Sequence, residues 1–505
     1  MFLLLPVIIG ASFCALLPVG TAIEKAACAS ELLDAASRIP APSPDGSFPA
    51  PHLAQDVHQL KRQQLASNAL SRLSKLLLGS GARRERQATL CDERFLYLSQ
   101  CAAEPSFARQ DGVDRLLDAQ SARNVARALE SLASICAADA ADLAGRTDDL
   151  EALRASAACL ALRAEGFAGS FGLAEAVTSR WAIRRLFGRA LETPALDALA
   201  APLPFDLHPG AVVLPLEGAA DCVLPSMAAL LPSLDVKTLG KAVPFEQAEL
   251  LTADGRKVRE RRQTAWLAED GIGALAYSGK LMNPSPLGAC DTILALRDGI
   301  ERDLGERFDC ALTNFYAKGG QAACAWHRDP EHGDVIDGAK WARPTYVVSV
   351  GETRRFAFRR HRQPGQAPLS EDDRHVVHLF TGDVIAMHDN CNDAWEHSVL
   401  AGDGERNAGA RISIVFKRAL VGSDGKRGHT LEGQGRRARA RARQESSASD
   451  TLSAEQPRGG GRGGASRGGR GGRGLGSRSR TRAAVAAGRG RHASSRKRSA
   501  SRNLA

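Results

Sequence analysis

The spacing of apolar residues divides the chain into three stretches. From about residue 52 to residue 200 the sequence is rich in Ala and Leu, and apolar residues recur three and four positions apart, which predicts α-helices. From Pro202 to about Leu420, Gly and Pro separate short runs of β-branched and aromatic residues, which predicts strands. After Leu420, Arg and Gly dominate and no apolar run is long enough to build a core, so we expect disorder.

Two segments of the helical stretch resemble each other. Gln63–Leu77 and Gln120–Ser134 share Gln, Asn four residues later and Leu five residues further, counted from Gln64 in the first segment. The match suggests stacked helical repeats of the kind that bind RNA or protein partners on a concave surface. An Ala-rich helical bundle whose Leu side chains face a core is the alternative, and the sequence leaves both open.

The second stretch contains many short strands. The predicted strands are GAVVLPL, CALTNFYA, TYVVSV, RFAFR, HVVHLF, DVIAM and RISIVFK. This number of short strands with intervening turns indicates a sandwich, a barrel or a jelly roll.

The two ends of the chain differ in character from its centre. Residues 1–29 begin with an apolar run that has small residues at Gly20 and Ala22, as in a signal or organelle leader, although no basic residue precedes Lys25. A membrane anchor, a misassigned start and a buried helix are the alternatives, and we expect no stable membrane domain after leader removal. A linker is predicted at Ala41–Pro51.

The positive charge of the chain lies in its tail. Residues 421–505 carry 21 Lys or Arg against 5 Asp or Glu, a net charge of +16, whereas the first 420 residues carry a net charge of −6. Four Arg-Gly-Gly units begin at Arg458, Arg462, Arg467 and Arg470. Such a disordered basic tail favours nucleic acid as a partner, RNA somewhat more than DNA, with protein contacts or import as the alternative. A leader combined with this tail favours a plastid or mitochondrion, with the nucleus as the alternative.

The cysteines exclude several classes of site. The 11 cysteines include no Cys-x-x-Cys pair, which argues against a zinc ribbon, a thioredoxin motif or a disulfide scaffold. We therefore expect mostly buried free thiols.

The stretch WHRDPEHGD contains His-x-Asp twice, as His327 with Asp329 and as His332 with Asp334. One imidazole and one carboxylate at this spacing, joined by a distant His, form the 2-His-1-carboxylate set that suits Fe(II) oxygenases. His327 ends the segment TNFYAKGGQAACAWH, which reads as a strand, a Gly-Gly turn and a strand. The second pair lies in a turn after Pro330, so we interpret it as ordinary surface polar residues.

Two histidines further along the chain are candidates for the distal ligand. His388 follows the predicted strand DVIAM, and His397 lies in AWEHSVL. The last strand carries Arg411 and Lys417 at an even spacing, which places both on one face. Two inward cations require an anion such as a dicarboxylate, whereas an edge strand could turn them outward to water.

The ordered motifs N-x-Y, H-x-D, G-D, H and R-x-S-x-V-x-K, from Arg261 to Leu420, resemble the AlkB-like Fe(II)- and 2-oxoglutarate-dependent dioxygenases. The resemblance implies a double-stranded β-helix (jelly-roll) domain at 205–420. With the helical region at 52–200 and the disordered basic tail at 421–505, both predicted from the sequence pattern, the fold class is α+β. Its cofactors would be Fe(II), 2-oxoglutarate and O2. The implied iron ligands are His327, Asp329 and His397.

The resemblance also implies the remaining site residues. Asn314, Tyr316, Arg411 and Lys417 would contact 2-oxoglutarate, and Glu331, Tyr277 and Ser278 would contact the substrate. Lys417 stands where the family usually has a second Arg, and Lys is a point charge without the planar fork of a guanidinium.

The implied reaction is hydroxylation of an N-methyl group on a nucleic-acid base, which yields formaldehyde and the repaired base. Two alternatives remain at this stage. One is a 2-oxoglutarate-dependent hydroxylase of a protein or small molecule, and the other is a noncatalytic RNA-binding protein.

Overall fold

The computed structural model of the protein describes residues 18–40, 52–78, 82–104, 114–138, 150–216, 224–251, 256–277, 280–319, 323–329, 332, 339–362, 366, 368–400, 409–421 and 427. The predicted linker, the first 17 residues of the predicted leader and residues 428–505, with all the Arg-Gly-Gly units, lie outside this part.

The helices precede most of the strands. They are α1 (Ala29–Ala36), α2 (His52–Leu77), α3 (Arg83–Leu90), α4 (Glu93–Ala103), α5 (Asp114–Ala137), α6 (Glu151–Gly166), α7 (Leu173–Phe187), α8 (Pro194–Ala200), α9 (Pro225–Leu230), α10 (Val236–Ala242), α11 (Asp291–Leu304) and α12 (Cys391–Ala394). Short 3₁₀ helices lie at Ala168–Ser170, Leu231–Ser233, Leu287–Ala289 and Glu371–Asp373. Local sequence defines several ends: the Asp92 carboxylate caps α4, and Gly305, at φ 73°, ends α11.

The strands come mainly from the stretch predicted to contain them. They are β1 (Phe205–His208), β2 (Glu249–Leu251), β3 (Lys257–Arg259), β4 (Gln263–Ala268), β5 (Leu275–Tyr277), β6 (Lys280–Met282), β7 (Ser285–Pro286), β8 (Cys310–Tyr316), β9 (Cys324–His327), β10 (Thr345–Gly351), β11 (Arg354–Arg360), β12 (Arg374–Leu379), β13 (Val384–Met387), β14 (Trp395–Val399) and β15 (Arg411–Lys417).

The strands form two principal sheets. A seven-stranded sheet has the order β1-β13-β10-β15-β8-β4-β7, and a four-stranded sheet has the order β12-β11-β14-β9. Apolar side chains of both sheets, including Val347, Val415, Phe356 and Phe358, share one core. This arrangement of helices and two facing sheets fits the predicted α+β class and the jelly roll.

The helices make two separate layers. Leu and Ala side chains of α1 to α8 form one core, because their three- and four-residue spacing places them on one side of each helix. Helices α9, α10 and α11 cover the outer face of the seven-stranded sheet, where Ile412, Ile414 and Phe416 of β15 are buried. The opposite face of β15 therefore points its odd-numbered residues toward the four-stranded sheet.

The predicted leader overlaps the first helical layer. Val19, Ile23 and Ala29 are buried in the core of that layer. Residues 18–29 thus take part in the packing of the helices.

The two similar segments Gln63–Leu77 and Gln120–Ser134 lie on α2 and α5, and these helices contact each other directly. Arg127 donates a hydrogen bond to the Asn68 side chain at 2.5 Å, and Ser121 donates one to the Gln63 side chain at 3.3 Å. Polar side chains near the matching positions, with Asn68 itself among them, therefore join the two helices.

A buried ion pair joins the helical layer to the seven-stranded sheet. Arg185 of α7 donates to both carboxylate oxygens of Asp383 at 2.8 and 2.7 Å, and its guanidinium lies 4.7 Å from the centre of the Phe380 ring. Asp383 also accepts the backbone N–H groups of Gly210 and Phe380. The turn that begins β13 is thus held from the helical side.

One sequence-based strand prediction is wrong. GAVVLPL, residues 210–216, forms no strand, because the N–H groups of Val213 and Leu214 bond to the carbonyl groups of Arg185 and Leu186 at the end of α7. The segment TNFYAKGGQAACAWH forms the two predicted strands, β8 and β9. Its strands β8 and β9 belong to different sheets, so the chain crosses between the sheets at this point.

Other expectations concern the whole chain. The cysteines in the described ranges are free thiols, and most are buried, as predicted. No helix in the described ranges combines the length and the apolar character that crossing a membrane needs. Arg427, within the predicted tail, donates to Asp309 at 2.5 Å, so the folded part extends beyond Leu420.

His375 should make the fold sensitive to acid. It is 4% exposed between the rings of Phe205 and Trp395, and burial lowers its pKa to about 4. In the unfolded chain His375 therefore becomes protonated as the pH falls through about 6.5, whereas in the folded chain it stays neutral down to about pH 4. The resulting loss of unfolding free energy by pH 4 is about 3 kcal/mol. Urea titrations at pH 7 and pH 4 should show a smaller pH effect in His375→Leu, and an equal pH effect in both proteins would contradict this assignment.

Candidate active site

Neighbouring strands of the four-stranded sheet bring three candidate ligands together. His327 ends β9, and His397 of β14 is its direct partner in the antiparallel register. The two rings lie 4.3 Å apart, and Asp329 follows two residues after β9. One ligand atom from each of His327, Asp329 and His397 lies within 4.8 Å of the others.

The hydrogen bonds around these groups leave metal-ligating atoms available. The Nδ1 of His327 donates to the Ala325 carbonyl at 2.8 Å, so its Nε2 faces Asp329 Oδ1 at 3.6 Å. Among the residues that the structure describes, His397 Nδ1 is buried without a hydrogen-bond partner. Two imidazoles and a carboxylate of this kind fit a divalent transition metal and leave room for further ligands.

The electrostatics of the three groups also suit a metal. Burial, together with the nearby His327, lowers the pKa of His397 to about 3, so this ring is neutral. Burial alone would raise the pKa of Asp329, but the Lys417 ammonium and the imidazoles hold it well below its usual range. Burial alone would lower the pKa of His327, but contacts with Cys324 and Asp329 raise it to about 9. A bound metal would therefore displace a proton from His327.

A buried cation with free hydrogen-bond donors lies in the same interior. Arg411 is fully buried, and its Nε donates to Ser349 Oγ at 3.1 Å. Within the described ranges its Nη1 and Nη2 have no partner, and neither does Asn314 Oδ1. Burial lowers the pKa of Arg411 to about 10, so it is still a cation at neutral pH.

Neighbouring strands assemble this second group of residues. Arg411 pairs with Tyr316 across β15 and β8, and its guanidinium lies 5.5 Å from the centre of the Tyr316 ring. Asn314 pairs with Ser413 two positions further along the same register. Unpaired buried donors on a cation fit a carboxylate, as a dicarboxylate cosubstrate would supply.

Lys417 contacts the candidate metal ligand Asp329 and the neighbouring His332. It is 3% exposed, and its Nζ lies 2.8 Å from Asp329 Oδ2 and 3.1 Å from His332 Nε2. The inward orientation predicted for Arg411 and Lys417 is thus confirmed. The predicted contact of Lys417 with 2-oxoglutarate stays a prediction.

The interpretation of His332 as a surface residue is wrong. His332 is 6% exposed, and a β-bridge to Trp341 fixes its backbone, so a tertiary contact supplies the order that the sequence did not reveal. Its former partner in the motif, Asp334, lies outside the described residues. His332 does not belong to the His327 cluster of ligand atoms, but it adjoins that cluster through Lys417.

The other sequence candidates have different outcomes. His388 lies apart from the cluster and bonds to Asp389 at 2.7 Å. Glu331 and Ser278 lie outside the described residues, and for Tyr277 the backbone in β5 is described but not the side chain. Ser349 was missed, although its signal was a hydroxyl at an inward position of the apolar strand TYVVSV.

An exposed hairpin with three basic side chains precedes β4 in the chain. Strands β2 and β3 form it, and Arg256, Lys257 and Arg259 are exposed there, as is Val258 at 46%. The chain continues from β3 into β4, which pairs with β8 next to Asn314. Within the hairpin, the Lys257 ammonium lies 3.6 Å from the Glu249 carboxylate.

The comparisons with known proteins agree with this geometry. The profile of the 2OG-Fe(II) oxygenase superfamily matches residues 231–417. The uncharacterized protein R406 of Acanthamoeba polyphaga mimivirus is 30% identical over 178 residues, which are 35% of this chain and 82% of that protein.

Two relatives, one from an animal and one from a plant, have names that state an activity. The DNA oxidative demethylase ALKBH2 of Bos taurus is 26% identical over 159 residues, covering 32% of this chain and 53% of that protein. The protein of the same name in Arabidopsis thaliana is 26% identical over 200 residues, covering 36% and 60%. The chain thus spans less than two thirds of these two relatives.

A solved structure, OsALKBH1, covers 42% of this chain and 96% of its own at 15% identity, with a TM-score of 0.25. That score is too low to support an argument. The profile match, the relatives and the buried His-Asp-His cluster agree, and the chain belongs to the AlkB-like family of 2OG-Fe(II) oxygenases, which use Fe(II), 2-oxoglutarate and O2.

Proposed function

We propose that the protein demethylates N-alkylated bases in nucleic acid by oxidation, with Fe(II) and 2-oxoglutarate. The observation that carries this proposal is the fully buried Arg411, whose two unpaired Nη atoms lie in the same interior as the His327, Asp329 and His397 cluster. A protein without a carboxylate ligand would leave this cation uncompensated, at a cost of several kcal/mol.

Different residues would bind the metal and the cosubstrate. When bound, Fe(II) with 2-oxoglutarate and O2 supplies the oxidation of an N-methyl group to a hemiaminal, which releases formaldehyde. His327, Asp329 and His397 would hold the metal, and Lys417 keeps Asp329 ionised and oriented. Arg411, Asn314 and Tyr316 would hold the cosubstrate, and the apolar core behind them limits the access of water.

Two observations support nucleic acid as the substrate. The exposed hairpin of β2 and β3 carries Arg256, Lys257 and Arg259, and exposed basic side chains of this kind can bind phosphate groups. The two ALKBH2 relatives are named as DNA demethylases. The basic tail, which favours RNA, would add charge-driven binding without choosing the reaction. Methylated single-stranded RNA and DNA are therefore both substrates to test.

The test is release of succinate and formaldehyde by the full-length protein with Fe(II), 2-oxoglutarate and methylated oligonucleotides. We expect formaldehyde that depends on the methylated oligonucleotide and disappears in His397→Ala. His388→Ala is the matched control, since it removes a histidine that lies apart from the cluster, and it should keep the activity.

The outcomes separate the alternatives. Succinate without oligonucleotide-dependent formaldehyde would keep the iron site and overturn the nucleic-acid substrate in favour of a protein or small molecule. Absence of succinate with intact binding to RNA would point to a noncatalytic RNA-binding protein.

A further inference from the structure

Lys417 occupies a position where the family usually has Arg, and a buried histidine compensates for the difference. The Lys417 ammonium lies between Asp329 Oδ2 at 2.8 Å and His332 Nε2 at 3.1 Å. All three residues are at most 9% exposed. The contacts therefore lie in an interior where a hydrogen bond is stronger than it would be in water.

The ring of His332 makes a closed hydrogen-bonded circuit with Asp329. A lysine ammonium can only donate, so Nε2 of His332 accepts from it and the ring proton lies on Nδ1. That Nδ1 donates to the backbone carbonyl of Asp329 at 3.1 Å. The circuit thus runs from the Asp329 carboxylate through Lys417 and His332 back to the Asp329 backbone.

The backbone of His332 is itself fixed. Arg343 donates to the His332 carbonyl at 3.2 Å and to Asp393 at 2.6 Å, and Trp341 forms the β-bridge with His332. Trp341 in turn bridges to Ala419, just beyond β15, which carries Lys417. The backbone of His332 is therefore connected, through Trp341, to the segment that directly follows Lys417.

We propose that His332 is the positioning residue of the metal centre, because it fixes Lys417 on Asp329. A guanidinium can grip a carboxylate with two parallel bonds, but an ammonium on a flexible stem needs a second partner to stay in one place. With Oδ2 of Asp329 held by Lys417, its Oδ1 points to His327 Nε2 at 3.6 Å, as metal ligation requires. This inference rests on the proposed metal site.

The experiment measures Mn²⁺ affinity of the full-length protein by calorimetry, without cosubstrate or turnover. Loss of an outer partner of a metal ligand typically weakens binding by about 10- to 100-fold, and we expect this for His332→Ala. His332→Gln should recover most of the affinity, because an amide can accept from Lys417 and donate to the Asp329 carbonyl. His361→Ala is the matched control, since His361 bonds to Glu396 on the four-stranded sheet, and it should bind like the wild type.

A second background tests whether His332 acts through Lys417. In Lys417→Arg, the planar fork can hold Asp329 alone, so adding His332→Ala should cost less than about 3-fold in affinity. An equal loss in both backgrounds, or no loss in His332→Ala, would overturn the inference. Failure of the wild-type protein to bind Mn²⁺ would instead overturn the metal site of the proposed function, and with it the inference that rests on it.

Discussion

Replacement of Arg411 by Met is expected to raise the KM for 2-oxoglutarate on the order of 100- to 1,000-fold, because it removes the buried cation that would pair with a carboxylate. The two Nη atoms of Arg411 are buried with no partner in the part of the chain that the structure describes. Among the residues predicted to contact 2-oxoglutarate, Arg411 is the guanidinium that can supply two parallel donors, so its loss should exceed that of a neutral residue such as Asn314.

The same substitution should leave the ligand-free protein at least as stable as the wild type. A buried cation without a counter-ion destabilises the fold, and Met fills a similar volume without a charge. We expect the free energy of unfolding to rise by about 1–3 kcal/mol in the absence of ligand. The small opposing effect is the loss of the bond from Arg411 Nε to Ser349 Oγ.

Two further variants sharpen the result for Arg411. Arg411→Lys keeps the positive charge but lacks the planar guanidinium. Its KM for 2-oxoglutarate should therefore lie between those of the wild type and of Arg411→Met. Arg374→Met removes an exposed Arg at the start of β12 and should change neither KM nor stability. A fall in the stability of ligand-free Arg411→Met together with an unchanged KM would mean that Arg411 serves the fold and not the cosubstrate.

The sequence predicted strands and inward-facing site residues correctly where functional side chains lie on strands with a regular alternation of side chains. Strands β8, β10, β11, β12, β13 and β15 lie where short β-branched runs predicted them. The spacing of Arg411 and Lys417 predicted their shared inward face, because side chains on a strand alternate strictly. His397 could be preferred over His388 only through the family resemblance, because the strand predicted from the sequence precedes His388 and AWEHSVL was not predicted to be a strand.

The missed features depend on contacts between distant parts of the chain. His332 lies in a turn-like sequence, and the bridge to Trp341 that buries it crosses a segment outside the described residues. GAVVLPL has the composition of a strand, but its backbone groups bond to the end of α7. In both cases tertiary contacts outweigh the local pattern, which a single sequence cannot show.

A buried ion pair that no local sequence pattern indicates joins the helical layer to the seven-stranded sheet. Arg185 and Asp383 are 198 residues apart, and both are nearly fully buried. The carbonyl of Asp383 accepts the N–H of Ser349, whose hydroxyl accepts from Arg411. The helices therefore support the turn to which Ser349, the partner of Arg411, is bonded.

Replacement of Arg185 by Met is expected to lower the free energy of unfolding by about 3–5 kcal/mol, because it leaves the Asp383 carboxylate buried without a cation. Arg184→Met is the matched control, since Arg184 is more exposed and Asp206 keeps its bond to Arg180. That control should cost less than about 1 kcal/mol. Urea unfolding measures both variants, and the added substitution Asp383→Asn should recover part of the loss in Arg185→Met. Equal losses in Arg185→Met and Arg184→Met would show that the pair adds nothing beyond a surface ion pair, and the helical layer would then be held by its apolar contacts alone.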